Sequence, residues 1–208
     1  MITALLKLTL LMSALFTLAI GAIRAQPYDD GGLRDFLFNS PGCENYPNEP
    51  CFIGIRPGVT TFDEALAMLE AHEWVERVTS ASPIIQWTWN GSQPRFIGFP
   101  QERGLVTIRD GTVRRLYVGY TSIKFSDLWL TLDKPTSFDI ATSRAFVDFG
   151  TSHRETHLTT QMIVSCPLRI ADFWTLRVNI AYEAQVFPHA TDFRFGELCA
   201  QSGISLIG

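Results

Sequence analysis

Charge is the scarcest resource in this 208-residue chain. Only 18% of residues are Asp, Glu, Lys or Arg, and no basic run is longer than Arg114-Arg115. That poverty excludes the basic stripe that phosphate backbones select, so DNA and RNA are not expected partners. The formal net charge is −4, and it becomes −6 without residues 1–25, which carry Lys7 and Arg24 and no acid. Catalytic signatures are missing as well. No G-x-S-x-G, H-E-x-x-H, G-x-x-x-x-G-K-[ST] or G-x-G-x-x-G occurs, which disfavours the common hydrolase, zincin, nucleotide and dinucleotide classes. No cofactor is expected. Cysteine is limited to Cys43, Cys51, Cys166 and Cys199, with no C-x-x-C spacing. Four cysteines fit two disulfides in an oxidising compartment better than a metal site. Three pairings exist, and Cys43–Cys51 with Cys166–Cys199 is the expected one. The chain-entropy relation gives about 2.6 kcal/mol for the short loop and about 3.8 kcal/mol for the longer one.

Aromatic residues, by contrast, make up 12% of the chain, a supply that suits a sheet-rich fold and argues against disorder. Residues 8–23 form an apolar and small-residue run behind Lys7, and Ile23-Arg24-Ala25 gives a loose cleavage site. This is the pattern of a signal peptide, with a second site ending at Gly21 or Ala22. Sixteen helical residues reach about 24 Å, against roughly 30 Å of hydrocarbon. Extending the run to Met1 gives a membrane anchor instead. Either way the body is expected outside the cytoplasm, touching membrane only through residues 1–25. Residues 26–50 read as a linker broken by Gly31-Gly32, Pro41-Gly42, Pro47 and Pro50. Residues 51–208 form the body, with halves at 51–122 and 123–208.

The body is organised around Cys51–Val75. Thr61 and Glu64 fit a capping box, with Thr60 and Asp63 as the alternative register. Pro57-Gly58 forbids an earlier start. Phe62, Ala65, Leu66, Leu69, Trp74 and Val75 form one apolar stripe. His72 lies near the helix end, where a protonated imidazole suits the dipole and a packing or capping role serves equally. Pro50-Cys51, Gly54–Thr61, Asp63-Glu64-Ala65, Ala71-His72 and Trp74-Val75 spell PC-x-x-GIRPGVTT-x-DEA…AH-x-WV. In this the chain resembles a group of uncharacterised exported bacterial proteins. The Gly-Val-Thr opening before a short helix also resembles SmpA/OmlA outer-membrane lipoproteins, although Val59 stands at their Met and no lipobox Cys follows the apolar run. That resemblance implies helices packed on an antiparallel sheet, like β-lactamase-inhibitor protein, in an assembly or binding role.

Beyond the helix, alternation predicts strands. Ile84–Trp89 precedes Asn90-Gly91, a hairpin signal that makes Arg95–Phe99 the return strand. Gly104–Ile108 and Val113–Tyr120 flank Asp110-Gly111. Ser126–Leu132 reads as a helix capped by Ser126 and stopped at Lys134-Pro135. Strands follow near 144–149 and 158–165, and Trp174–Tyr182 has the cleanest period of two, with one wet face. The fold class is α+β, short helices on antiparallel sheet, as two αβββ repeats or one larger sheet.

The chain thus reads as an exported, non-enzymatic binding or assembly module for an envelope protein or surface component. Two other functions compete. His153, Glu155 and His157 would share one face of an extended strand, where they can ligate zinc in a small secreted hydrolase or metal-dependent enzyme; a polar hairpin loop is the plainer reading. Trp87 and Trp89 share a strand face beside Arg95, which gives a platform for sugar or peptide or a lid over the helix in the core. The binding-module reading calls for an exposed apolar or aromatic patch and no deep polar pocket.

Overall fold

The computed structural model describes residues 11–18, 29–46, 49–98, 102–132, 135–142, 147–153, 156–166 and 168–185. The chain divides into two units, Met1–Gly31 and Gly32–Gly208. In the first, residues 11–18 are helical and exposed. Among the described residues no helix is long and apolar enough to cross a membrane. Most of the 1–25 segment lies outside the described residues.

The second unit is α+β. Among the described residues its sheet has eight antiparallel strands: β1 (Val75–Ala81), β2 (Ile84–Trp89), β3 (Arg103–Arg109), β4 (Thr112–Lys124), β5 (Ser137–Thr142), β6 (Val147–His153), β7 (Leu158–Val164) and β8 (Arg177–Glu183). Their order is β1-β2-β3-β4-β8-β7-β6-β5. Among the described residues four short helices accompany them: α1 (Leu33–Phe38), α2 (Phe62–Ala71), α3 (Phe125–Leu132) and α4 (Ile170–Thr175).

Cross-strand register sorts the side chains. Partners in an antiparallel ladder point to the same face. One row runs Ile85, Val106, Leu116, Tyr182, Leu158, His153. These side chains are buried, together with the apolar faces of the helices. The neighbouring row runs Thr79, Gln86, Leu105, Tyr117, Ala181, Thr159, Ser152, Ser137 on the opposite face. One face is therefore apolar and packed on helices, and the other is mainly polar.

Local chemistry explains most elements. In α2 both halves of the capping box form: the Thr61 N–H donates to Glu64 Oε2 at 2.9 Å, and the Glu64 N–H donates to Thr61 Oγ1 at 3.4 Å. The box holds Glu64 below the usual carboxylate range, through the Thr61 backbone and hydroxyl bonds. Asp110-Gly111 is the β3–β4 turn, with φ of 54° and 83° at the two residues. Positive φ at both positions is what a two-residue turn between twisted strands needs. An aromatic cluster closes the other end. Phe125 meets Phe149, Phe173 and Trp174 at 6.2, 5.1 and 5.5 Å between ring centroids.

Several sequence expectations are corrected. Residues 26–50 are not wholly linker: Leu33, Phe36 and Leu37 sit at i, i+3, i+4 on α1 and are buried. The α2 stripe stops at Ala71, and Val75 begins a strand, β1, that the periodicity missed. Asn90-Gly91 is no hairpin turn. Asn90 Nδ2 donates to the Glu73 carbonyl at 2.6 Å, and its Oδ1 accepts from the Ser92 N–H at 2.9 Å. These bonds tie the chain back to the α2–β1 corner, so β2 pairs with β1 and β3 rather than with residues 95–99. Among the described residues of that stretch, Ile97 makes an isolated bridge to Thr121, flanked by backbone bonds of Phe96 and Gly98 to Ser122 and Tyr120. Ser126 lies inside α3, which starts at Phe125. Trp174 belongs to α4, not to a strand. Both faces of β8 are buried, because it lies between β4 and β7 with Asn179 and Ala181 also covered.

Two glycines in strands have opposite surroundings. A Cβ at Gly104 would come 2.0 Å from the Trp87 ring, whereas one at Gly150 meets nothing nearer than the Thr160 carbonyl oxygen at 3.5 Å. Gly104→Ala should therefore destabilise by about 3 kcal/mol or more through overpacking, while Gly150→Ala should be neutral or gain about 0.5 kcal/mol. Urea unfolding midpoints of the two variants check this. A second pair of variants tests the seam between α1 and β8. Tyr182 Oη donates to the Leu37 carbonyl at 2.8 Å, and burial pushes its phenol far up. Tyr182→Phe should cost about 1–3 kcal/mol by orphaning that carbonyl, and Tyr182→Leu should cost more.

Candidate functional site

The polar sheet face carries a cavity of about 210 Å³ across β4, β5, β6, β7 and β8. Alternation delivers its lining. Asp139, Gly150 and Gln161 occupy one cross-strand row on this face and line the cavity; Asn179 continues the row outside it. Arg115 and Glu183 pair across the β4–β8 seam. Gly150 leaves the space between its neighbours unfilled, which is one use of glycine inside a strand.

The side chains form two linked sets. Arg115 Nε lies 3.4 Å from Glu183 Oε1, which also accepts from Thr159 Oγ1 at 3.1 Å. Gln161 Nε2 donates to Asp148 Oδ2. Asp148 Oδ1 is buried without a hydrogen-bond partner. Asp139 and Ser152 complete the polar rim. Tyr117 stands on the same face, its phenol pushed up to about 12 mainly by burial, with Tyr120, Glu102 and Asp148 adding to the shift. It is therefore a neutral donor throughout the physiological range. Three carboxylates face one guanidinium in the cavity, so the local balance is negative.

The signature residues build a second surface. Gly54, Arg56, Val59, Thr60, Met68 and His72 line a more apolar groove of about 530 Å³. Arg56 lies 3.9 Å from the Tyr46 ring centroid and 3.0 Å from Glu49. His72 accepts the Trp74 N–H on Nδ1 at 3.2 Å and meets the Trp74 ring edge-on at 4.8 Å. An accepting Nδ1 and a burial-lowered pKa, opposed by Glu73, make this imidazole neutral. The cap bond is the His72 backbone N–H donating to the Leu69 carbonyl, while the neutral ring fixes the following turn by accepting from Trp74.

The other residues singled out from sequence fall elsewhere. Trp87 and Trp89 are 1% and 0% exposed, with ring centroids 5.5 Å apart and nearly perpendicular. They belong to the core and give no platform. Arg95 is exposed over Phe96 at 5.2 Å and lies outside the named strands. His153 ends β6 on the helix-packed face. His157 sits in the β6–β7 turn with φ of 51°, its Nδ1 3.2 Å from the Glu183 carbonyl. The strand that was to align 153, 155 and 157 is thus broken before 157, and Glu155 lies outside the described residues. Among the described residues no three His, Cys, Asp or Glu side chains are grouped to hold a metal. Cys43–Cys51 is a disulfide with a Cα–Cα distance of 5.7 Å. Cys166 is also disulfide-bonded; Cys199 lies outside the described residues. Trp87 and Trp89 thus form no exposed aromatic patch, and among the described residues the polar face carries a polar cavity, whereas the binding-module reading called for no deep polar pocket. The cavity residues Arg115, Asp139, Asp148, Gln161 and Glu183 were missed because they are far apart in sequence. Only their shared strand parity hinted at a common face.

No family model, no curated protein and no solved structure matches this chain.

The neutral His72 gives a pH prediction. A folded pKa below the unfolded 6.5 contributes stability that is complete above the unfolded value and lost as pH falls through the folded one. Lowering the pH from 7.5 to 5 should cost the native chain more stability than His72→Gln, which lacks the group. Paired urea titrations at the two pH values read the difference, and equal losses would refute the role of the neutral ring.

Proposed function

We propose that the chain is an exported, non-enzymatic binding module, whose polar sheet face holds an envelope protein or surface component outside the cytoplasm. The observation that carries this reading is the cavity on the sheet face opposite the packed helices. A sheet needs to bury only one face to fold, so a second face furnished with Arg115, Asp148, Gln161 and Glu183 is free for recognition. Such a face supports ligand or partner contacts through hydrogen bonds and charge rather than through a large apolar patch. The Cys43–Cys51 disulfide fits the oxidising location that the N-terminal run implies. The resemblance to exported bacterial proteins points to the same compartment, and the resemblance to SmpA/OmlA modules points to a binding or assembly role.

The strand order supports a finer architectural reading. β4 lies beside β8 while β1 and β5 take the two edges. We read this as two copies of a unit in which a helix precedes four strands, α2-β1-β2-β3-β4 and α3-β5-β6-β7-β8, with α4 inserted before the last strand. That is one strand more per half than an αβββ repeat.

The test is native capture of the C-terminally tagged chain from gently solubilised envelope, alongside Ile163→Lys. Ile163 is 47% exposed and shares the polar face with Asp148 across β6–β7. A stoichiometric companion that Ile163→Lys loses is the expected result, with the chain's own N-terminus near Gln26 or still carrying residues 1–25. A chain recovered alone from every preparation, or a companion indifferent to Ile163→Lys, would overturn the reading.

A further inference from the structure

We infer that the polar sheet face pairs with the same face of a second copy of this chain, in a two-fold dimer whose axis runs along the β4–β8 seam. The inference deepens the proposed function by naming a partner for that face. It rests on that reading only for which face does the recognising.

Register is the starting point. Two residues on from the row that joins Thr79 to Ser137, a second row crosses the same face. On β1, β2 and β3 it carries Arg77, Thr88 and Arg103. It crosses β4 at a register shift beside Gly119 and Tyr120. On β8, β7, β6 and β5 it carries Asn179, Gln161, Gly150 and Asp139. The row therefore holds cations in one half of the sheet and a carboxylate in the other. Arg77, Arg103 and Asp139 are exposed, and none of them takes part in an ion pair among the described residues.

Symmetry turns this polarity into self-complementarity. A two-fold axis parallel to the strands, lying between two stacked sheets, reverses the strand order and keeps each row at its level. β1 then faces β5 of the second copy, β2 faces β6 and β3 faces β7. Arg77 meets Asp139, Thr88 meets Gly150, and Arg103 meets Gln161 with Asp148 on the next row. Arg115, which touches its own Glu183 through Nε at 3.4 Å, also faces Glu183 of the second copy across the axis. Each contact occurs twice, as an isologous interface requires. Glu76, in the bulge beside Arg77, weakens the outer pair, so the axial exchange of Arg115 and Glu183 carries more. Lys124 and Arg177, further along the seam, would oppose each other with like charge and end the contact there. An axis across the strands would set the basic half against the basic half, so charge selects the first arrangement.

Area and apolar surface agree with it. Tyr120, Ile84 and Ile163 stand on this face and are 48%, 39% and 47% exposed. Tyr120 lies beside the axis, where the two rings would cover each other. At about 4.8 Å between strands and about 3.3 Å per residue, eight strands of about six residues cover roughly 700–800 Å². That is close to the ~800 Å² each partner buries in an interface of standard size. Sheets stacked about 10 Å apart with nearly aligned strands are a common arrangement. The hollow over Gly150 and the one between Arg77 and Arg103, about 210 and 320 Å³, give the opposing side chains space.

The test is sedimentation equilibrium of the purified full chain from about 1 to about 100 µM, at low and at high salt. A reversible monomer–dimer equilibrium that weakens with salt is expected. Arg77→Glu and Asp139→Arg should each raise the dimer Kd about tenfold or more, and the two together should restore it, because the exchanged charges still meet. Gly150 gives a second check, since a Cβ there meets nothing nearer than 3.5 Å. Gly150→Glu would set a carboxylate between Arg77 and Arg103 of the second copy and tighten the dimer; Gly150→Arg would loosen it. Opposite signs at one position are not the mark of a folding defect. A chain that stays monomeric throughout the range, or a dimer indifferent to salt, to the charge exchange and to the sign placed at position 150, overturns the inference. The salt series uses the native sequence, so it stands even where a variant folds poorly. A monomeric chain that still captures an envelope companion removes the second copy alone. A dimer that brings no other companion from the envelope removes the outside partner alone.

Discussion

The pairing of β4 with β8 is the constraint on which the other contacts depend. It joins residues 115–124 to residues 177–183 through Arg115–Glu183, Leu116–Tyr182, Tyr117–Ala181 and Gly119–Ile180. Each meander on its own would have half a core and an unpaired inner edge. Once joined, one continuous apolar face spans both. Tyr182 is central to that seam: its hydroxyl reaches Leu37 in α1, and its ring stacks on Phe52 at 5.6 Å. Helix α1 and the disulfide loop are thereby anchored on β8. Long sequence separation makes this contact entropically costly to form, and the Cys43–Cys51 link offsets part of that cost by shortening the free loop before Phe52.

The same pairing creates the polar site. Strand parity that sends Leu116 and Tyr182 into the core sends Arg115, Tyr117, Ala181 and Glu183 to the other face. β8 is central, so even its polar-face residues Asn179 and Ala181 are covered by neighbours, and no side of it is fully wet. Polar groups in this half-buried setting interact more strongly than on an open surface. Arg115 and Glu183 thus help hold the seam as well as line the cavity. Substituting them would mix folding with recognition, whereas Gly150 and Ile163 separate the two.

Where a signal was local, the sequence was legible. The α2 capping box, the Asp110-Gly111 turn, β2, β3, β4, β7 and the position of α3 all follow from residues within a few positions of one another. The failures were tertiary. Asn90-Gly91 carries the strongest hairpin chemistry in the chain, yet its Asn side chain is spent on Glu73, and the β1–β2 turn is made at Ser82-Pro83 instead. β1 was hidden because Val75, Glu76 and Arg77 extended the α2 pattern without an obvious break. Trp174 sat in perfect alternation with β8 but joined α4, because Phe125, Phe173 and Trp129 offered it an aromatic partner set. The cavity was the least legible part. Its residues come from five strands, and nothing in the sequence states that β4 and β8 are neighbours.

An eight-stranded open sheet also leaves two edges, and their chemistry bears on how recognition can occur. β1 exposes Glu76, Arg77, Thr79 and Ser80; β5 is six residues long and carries Asp139. Short, charged edges resist pairing with another strand, so partner recognition by strand addition would work against the composition of both edges. The cavity lies inboard, over β6 and β7 and against the β4–β8 seam, where backbone groups are already paired. A ligand there must be read by side chains. That shifts discrimination from main-chain hydrogen bonds, which any peptide can make, to charge and donor count, which few ligands match. The polar sheet face is therefore suited to a chemically specific contact of modest area rather than to a broad, permissive one.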